Sequence, residues 1–171
     1  GVGNTFAAST DPFATTTNPT SVTVNPAGTF AYVANSGDDS VSAYSINATT
    51  GVLTAVGSPV AAGVFPRSVA VNPAGTFVYV ANNGSNSVSA YSINTITGAL
   101  TAVTGSPFQA GASPISVTVN PAGTFAYVAN QGDNTVTAYR IDISTGALTA
   151  VGSGPFTAGT NPTSIVVVQP N

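Results

Sequence analysis

The chain has 171 residues, with five Asp, two Arg and no Glu, Lys, His, Cys, Met or Trp, and a formal net charge of −3. That inventory removes the histidine base, the cysteine nucleophile and the usual zinc ligands, and with Arg67 and Arg140 as the only cations a nucleic-acid backbone finds almost nothing to displace its counterions. Hydrophobic residues make up 43% and charged residues 4%, the reverse of a disordered composition, yet apolar runs such as Ile165 to Val168 fall far short of the roughly 20 residues that span a bilayer as a helix.

In chain order, Thr5 to Ala14 reads as a first strand, its Asp11-Pro12-Phe13 recurring later as Ser106-Pro107-Phe108. Ser21 to Val24 alternates as a strand and stops at Asn25-Pro26-Ala27-Gly28, where Pro presets φ and Gly accepts the positive φ that follows. Phe30 to Ala34 is a second strand, closed by the polar turn Ser36-Gly37-Asp38-Asp39. Ser40 to Ile46 is a third, and after Thr49-Thr50-Gly51 a fourth runs from Val52 to Val56. Nothing carries the i, i+3, i+4, i+7 apolar stripe of a helix, and β-branched Val and Thr dominate.

The same unit then repeats. Asn25-Pro-Ala-Gly-Thr-Phe30 returns at Asn72 and at Asn120, and residues 19–56 and 66–103 are identical at 29 of 38 positions. Pro19, Pro66, Pro114 and Pro162 mark the same register, so the units must share one fold. Four short antiparallel strands in each unit of about 40 to 50 residues, apolar or small on both faces, point to β-propeller blades packed between neighbours. The fold expected is all-β: a domain over 1–171 with an outer strand at 5–14, blades at 19–65, 66–113 and 114–161, and a closing inner strand at 162–170.

The tetrad Tyr32-Val33-Ala34-Asn35, repeated at Tyr79 to Asn82 and Tyr127 to Asn130, resembles the Tyr-Val-Thr-Asn repeat of surface-layer and lactonase-like seven-bladed propellers. Asn-Pro-x-Gly before it and Asp133-Asn134-Thr135-Val136 after it belong to the same pattern. Resemblance implies a lactone hydrolase with polar residues at the mouth of a central channel, but with no His or Glu here the family's catalytic set maps onto no position. The departure is Ala at the third place of each tetrad. Three blades do not close a ring, and an open arc exposes apolar faces that something must cover. Gly1 in place of Met marks a processed product or an excerpt.

Few residues invite chemistry. Asp38-Asp39 and Asp133-Asn134 sit at equivalent turns, where the middle unit has Ser85-Asn86; calcium ligation is one reading, and turn preference of Asp and Asn is the simpler one. Arg67 stands where other units have Thr20, Ile115 and Thr163, so the blade does not demand it. A lone arginine at a blade edge reads first as a solubility feature, with an anion anchor as the alternative. Arg140 and Asp142 lie two apart and are expected to pair, while Tyr44, Tyr91 and Tyr139 recur as core. Asn47-Ala-Thr49 and Asn83-Gly-Ser85 fit the glycosylation sequon.

With no catalytic, cofactor or metal residues assigned, the expected function is a non-enzymatic extracellular or cell-surface scaffold that self-associates into a homo-oligomer or fibre. No nucleic acid, membrane span or cofactor is expected, and glycan contact or glycosylation is left open. The alternatives are a fragment or inactive relative of a lactonase-like enzyme, or a glycan-binding propeller module.

Overall fold

A computed structural model describes residues 16–168, and the expected outer strand at 5–14 lies outside them. Among the described residues there is no helix, hence none able to cross a membrane. Instead three antiparallel sheets follow one another along the chain. The first is built from β1 (Pro19–Val24), β2 (Phe30–Asn35), β3 (Ser40–Ile46), β4 (Leu53–Ala55) and β5 (Val60–Ala61). The second uses β6 (Pro66–Val71), β7 (Phe77–Asn82), β8 (Ser87–Ile93), β9 (Leu100–Ala102) and β10 (Phe108–Gln109). The third uses β11 (Pro114–Val119), β12 (Phe125–Asn130), β13 (Thr135–Ile141), β14 (Leu148–Ala150) and β15 (Phe156–Thr157).

Each sheet has four strand positions, as expected of a blade, but the fourth is interrupted. Both β4 and β5 pair with β3, at Tyr44↔Ala55 and Val41↔Val60 respectively, with residues 56–59 looping out between them. The reading of a continuous Val52–Val56 strand is corrected accordingly: Val56 still donates to the Ala43 carbonyl at 2.8 Å, and Gly57 at φ +64° then turns the backbone out of the ladder. The inner strand also starts earlier than Ser21, because Pro19 pairs with Asn35 across a bulge before Ser21 meets Ala34. The same bulge recurs between Pro66 and Ser68 and between Pro114 and Ser116.

The Asn-Pro-Ala-Gly-Thr-Phe phrase is a hydrogen-bonded turn. Asn25 Oδ1 accepts the backbone N–H groups of Thr29 and Phe30, each at 2.9 Å, and Gly28 takes φ +70°. Asn72 and Asn120 repeat the arrangement. A short amide acceptor that satisfies two orphan donors while Pro fixes φ explains why the phrase is invariant among the units.

The sheets converge on their inner strands, which are joined by serine hydroxyls. Val69 N–H donates to Ser21 Oγ at 3.2 Å, Val117 N–H to Ser68 Oγ at 3.1 Å, and Ile165 N–H to Ser116 Oγ at 3.3 Å. That last bond places Ile165 beside the third inner strand as Val117 lies beside the second. Residues 162–168 form no strand, which corrects the closing strand expected at 162–170 within the described part: among the described residues no neighbouring strand supplies the ladder.

Core lies between sheets. Phe30, Tyr32, Ala34 and Val41 of the first sheet pack on Val69, Val78, Val80 and Tyr91 of the second. Phe77, Tyr79, Ala81 and Val88 of the second pack in turn on Val117, Ala126, Val128 and Tyr139 of the third. The middle sheet is thus covered on both faces, while the arc's ends are open: Val22 is 65% exposed, where its equivalents Val69 and Val117 are 6% and 5%. Three sheets form an arc and not a ring.

Strands β2, β7 and β12 each end in an asparagine that is fully buried. Asn82 Nδ2 donates to Ser87 Oγ at 3.2 Å and Ser89 Oγ at 2.9 Å, and Asn35 and Asn130 do the same with Ser40 and Ser42, Thr135 and Thr137. Asn82→Ala leaves two core hydroxyls without that donor, so the unfolding free energy is expected to fall by about 2 kcal/mol. Denaturant unfolding checks this, and a change below about 0.5 kcal/mol would show that the amide is not a structural tie.

Candidate functional site

The arc has two rims, and the backbone distinguishes them. One rim carries the β1–β2 and β3–β4 turns with their equivalents, and its positive-φ residues are glycines: Gly28, Gly51, Gly75, Gly98, Gly123 and Gly146. The other carries the β2–β3 turns and the loops leading into the inner strands. All of the non-glycine residues with positive φ among the described residues lie there: Asn18, Asp39, Phe65, Asn86, Ser113, Asn134 and Asn161, between +50° and +58°. Strained backbone of this kind persists where surrounding structure enforces it and gathers at functional sites.

What enforces it is a latch made by the turn residues. Asp39 Oδ1 accepts the Phe65 N–H at 2.8 Å, Asn86 Oδ1 the Ser113 N–H at 2.8 Å, and Asn134 Oδ1 the Asn161 N–H at 2.7 Å. One position earlier, Asp38 Oδ2 accepts from Thr17 N–H, Ser85 Oγ from Val64 N–H at 3.1 Å, and Asp133 Oδ2 from Ala112 N–H at 2.9 Å. Each turn therefore ties down the loop between blades. Donation by the Thr17 backbone and hydroxyl holds the Asp38 carboxyl below the usual range. Turn chemistry thus accounts for the acidic residues offered as calcium ligands, and among the described residues no three carboxylates gather.

Buried beneath this rim are the Oδ1 atoms of Asn35, Asn82 and Asn130, which have no hydrogen-bond partner. Above it lies Arg67, the bulge residue of β6, exposed and without a pairing partner across the ladder. Arg140 is elsewhere. It does not pair with Asp142 as expected but lies over the Phe125 ring, 5.5 Å from its centroid. Asp142 instead caps its own turn, accepting from Ser144 Oγ at 2.6 Å, Ser144 N–H at 2.9 Å and Thr145 N–H at 3.2 Å. These bonds lower its carboxyl pKa, and they outcompete an exposed ion pair because the donors are already fixed by the turn.

Tyr44, Tyr91 and Tyr139 are buried, as core residues should be. Of the two sequons, Asn47 is exposed on the glycine rim with Oδ1 accepting from Thr49 and Thr50, each at 3.0 Å, while Asn83 Nδ2 donates inward to the Pro114 carbonyl at 3.3 Å. Sequence reasoning did not single out Val64 or Phe65 and offered Asn83 only as a sequon, although a unit-by-unit comparison of the loop before Pro66 would have shown it to be the odd one.

Comparison with known proteins now bears on this geometry. Residues 3–112 and 108–167 match the family model described as lactonase, 7-bladed β-propeller. A putative 6-phosphogluconolactonase from Bacteroides fragilis superposes with a TM-score of 0.78 at 24% identity, over 85% of this chain and 40% of that one. The periplasmic gluconolactonase PpgL of Pseudomonas aeruginosa gives 0.69 at 20% identity, over 83% and 41%. Kuenenia stuttgartiensis hydrazine synthase gives 0.64 at 25%, over 90% and 41%. The chain therefore spans about two fifths of these structures. Comparison with curated proteins finds no match.

The family match overturns two expectations, the non-enzymatic extracellular scaffold and the absence of enzyme function. Both rested on missing His and Glu together with incomplete closure. A propeller site draws its side chains from the loops of many blades, so the lack of His and Glu in three units does not argue against catalysis.

Proposed function

We propose, from the premise that this chain belongs to the lactonase, 7-bladed β-propeller family, that its sheets are three blades of a ring that opens a lactone by hydrolysis, with the substrate on the strained rim. The observation that carries this reading is the family match, which runs through all three sheets. Three blades are three sevenths of a seven-bladed ring, in keeping with the 40% and 43% of the phosphogluconolactonase-type structures that the chain spans. The open end faces, with Val22 at one and half-buried Phe125 and Tyr127 at the other, are then where further blades pack. Units 19–65, 66–113 and 114–161 are the blades of this proposal.

Hydrolysis adds water to the lactone carbonyl carbon, places negative charge on the carbonyl oxygen and breaks the ring C–O bond, the proton from water ending on the released alkoxide. A general base, an acid and donors for the oxyanion are needed. Asp38 is a poor base near neutrality because its pKa is depressed, and Asp39 is committed to the Phe65 N–H. The described residues therefore supply framework and the positive charge of Arg67, and the base comes from another part of the ring.

The finer likeness of the three tetrads to YVTN-type repeats belongs to the same proposal. It is supported by the burial of Tyr32 with Ala34 and of Tyr79 with Ala81 between sheets and by the Asn that closes each strand. A secreted or surface location is supported by the absence of Lys and Glu from the sequence. Proton release from gluconolactone and its 6-phosphate, corrected for spontaneous opening, tests the activity on the full-length gene product. A rate proportional to protein is expected, and no rate with either lactone would sink the reading.

A further inference from the structure

The units are close copies, yet the loop into the middle blade is unlike the rest. Residues 64–67 read Val-Phe-Pro-Arg, against Thr-Asn-Pro-Thr at 17–20, Ala-Ser-Pro-Ile at 112–115 and Thr-Asn-Pro-Thr at 160–163. Small or polar residues at the first two places are replaced by Val64 and Phe65, and Thr or Ile at the fourth is replaced by a cation. All three are solvent-accessible: Val64 is 43% and Phe65 53% exposed, and Arg67 is exposed as well.

Phe65 is the costly member. It holds φ +52° where the other units use Asn or Ser, and a bulky side chain seldom adopts that conformation. Its ring is not part of the core, being 53% exposed. The loop is nonetheless rigid. Phe65 N–H is held by Asp39, the Phe65 carbonyl accepts from Asn83 N–H at 2.9 Å, and the Val64 carbonyl accepts from Gly84 N–H at 2.9 Å. Both side chains lie across Gly84, where an added Cβ would come within 2.8 Å of each.

Arg67 has been released from the structural task of its position. In the first unit Thr20 Oγ1 donates to the Pro66 carbonyl of the next blade at 2.8 Å. Arg67 replaces that threonine, and the corresponding Pro114 carbonyl accepts instead from Asn83, which stands where the first unit has Ser36. The turn of the same blade is Asn83-Gly84-Ser85-Asn86, neutral where the others carry Asp38-Asp39 and Asp133. A bulge takes the arginine out of the ladder, and its own turn carries no acid, while the Asp39 carboxylate of the preceding blade is engaged by the Phe65 N–H.

We infer that Val64, Phe65 and Arg67 form a ligand subsite on the middle blade for a ring-shaped molecule bearing an anionic group, such as a sugar acid or sugar phosphate. Arg67 pairs with the anion, and Phe65 with Val64 offers the apolar wall on which the ring face lies. It rests on the proposed function only in taking this rim as the ligand side.

Other units supply fold-safe variants. Arg67→Thr and Phe65→Asn install what the first unit has at Thr20 and Asn18, with the melting temperature as the folding control; Phe65→Asn should hold or raise it, because Asn tolerates positive φ. Calorimetric titration with glucose 6-phosphate, glucuronate and inorganic phosphate reads the site without turnover. Binding of a sugar-ring anion is expected, weakened about tenfold or more by Arg67→Thr and severalfold by Phe65→Asn. If glucuronate binds more tightly, the carboxylate is the preferred anion, and if glucose 6-phosphate does, the phosphoryl group is. Failure of every probe to bind, or binding indifferent to either variant, would overturn the subsite. Loss of lactone hydrolysis with probe binding intact would count against the catalytic reading alone.

Discussion

Gly146→Ala is expected to destabilise the protein by roughly 3 kcal/mol and to lower its melting temperature by roughly 6–12 °C. Two costs combine. Gly146 has φ +77°, where a Cβ costs about 1–2 kcal/mol. That Cβ would also run into Cδ1 and Cε1 of the Phe77 ring of the preceding blade, and displacing a packed ring adds about 1–3 kcal/mol. The Gly146 carbonyl accepts from the Tyr79 hydroxyl at 3.1 Å, so movement of the turn loosens a second contact between blades. Gly98 stands in the same relation to Phe30 and Tyr32.

Gly51 is the internal control. It holds the same turn at φ +72°, but among the described residues nothing lies within 4 Å of its added Cβ, because no described blade precedes the first. Gly51→Ala should therefore cost only the backbone share, about 1–2 kcal/mol. Equal losses of melting temperature in Gly51→Ala and Gly146→Ala would show that the glycine serves turn geometry and not the junction.

Alkaline unfolding is the second large effect. Tyr32, Tyr79, Tyr91 and Tyr139 are buried and donate their hydroxyls to the carbonyls of Gly98, Gly146, Ala61 and Gln109. Burial pushes the Tyr32 phenol up from 10.0 to about 12 and raises the other three, with the charge of Asp142 adding to the rise at Tyr79. A phenolate can no longer donate, so ionisation favours the unfolded chain. Below pH 10 both states hold the proton and the stabilisation is complete. Above it the unfolded state binds fewer protons than the native one, and stability falls by about 1.4 kcal/mol per pH unit for each tyrosine. Urea unfolding should be flat up to about pH 10 and collapse towards pH 12, with phenolate absorbance appearing as structure is lost. Tyr32→Phe should make the decline shallower by one proton, and titration of every tyrosine near pH 10 in an intact fold would refute the account.

Much of the blade was legible in the chain because its determinants are local. Alternation of Val and Thr with small residues, the Asn-Pro-Ala-Gly-Thr turn and the 47- or 48-residue repeat each act within a few residues or by identity between units. Interruption of the fourth strand at 56–59 was not legible, since Val56 looks like a continuing strand and only the pairing of both β4 and β5 with β3 reveals the loop. Arg140 and Asp142 looked like a pair by spacing, but donors from Ser144 and Thr145 held the carboxylate and the Phe125 ring held the cation.

At the strained rim the division is clear. The sequence alone determined that Arg67 was an addition to the blade and that Asp39, Asn86 and Asn134 occupy one turn position. Only the tertiary structure decided that these three latch the loops of the following unit, that Asn83 relieves Arg67 of its bridging task, and that Phe65 stands exposed beside it in a strained conformation. The physical reason is distance along the chain. Such bonds join residues between 26 and 31 positions apart and form only when one sheet is laid against the next.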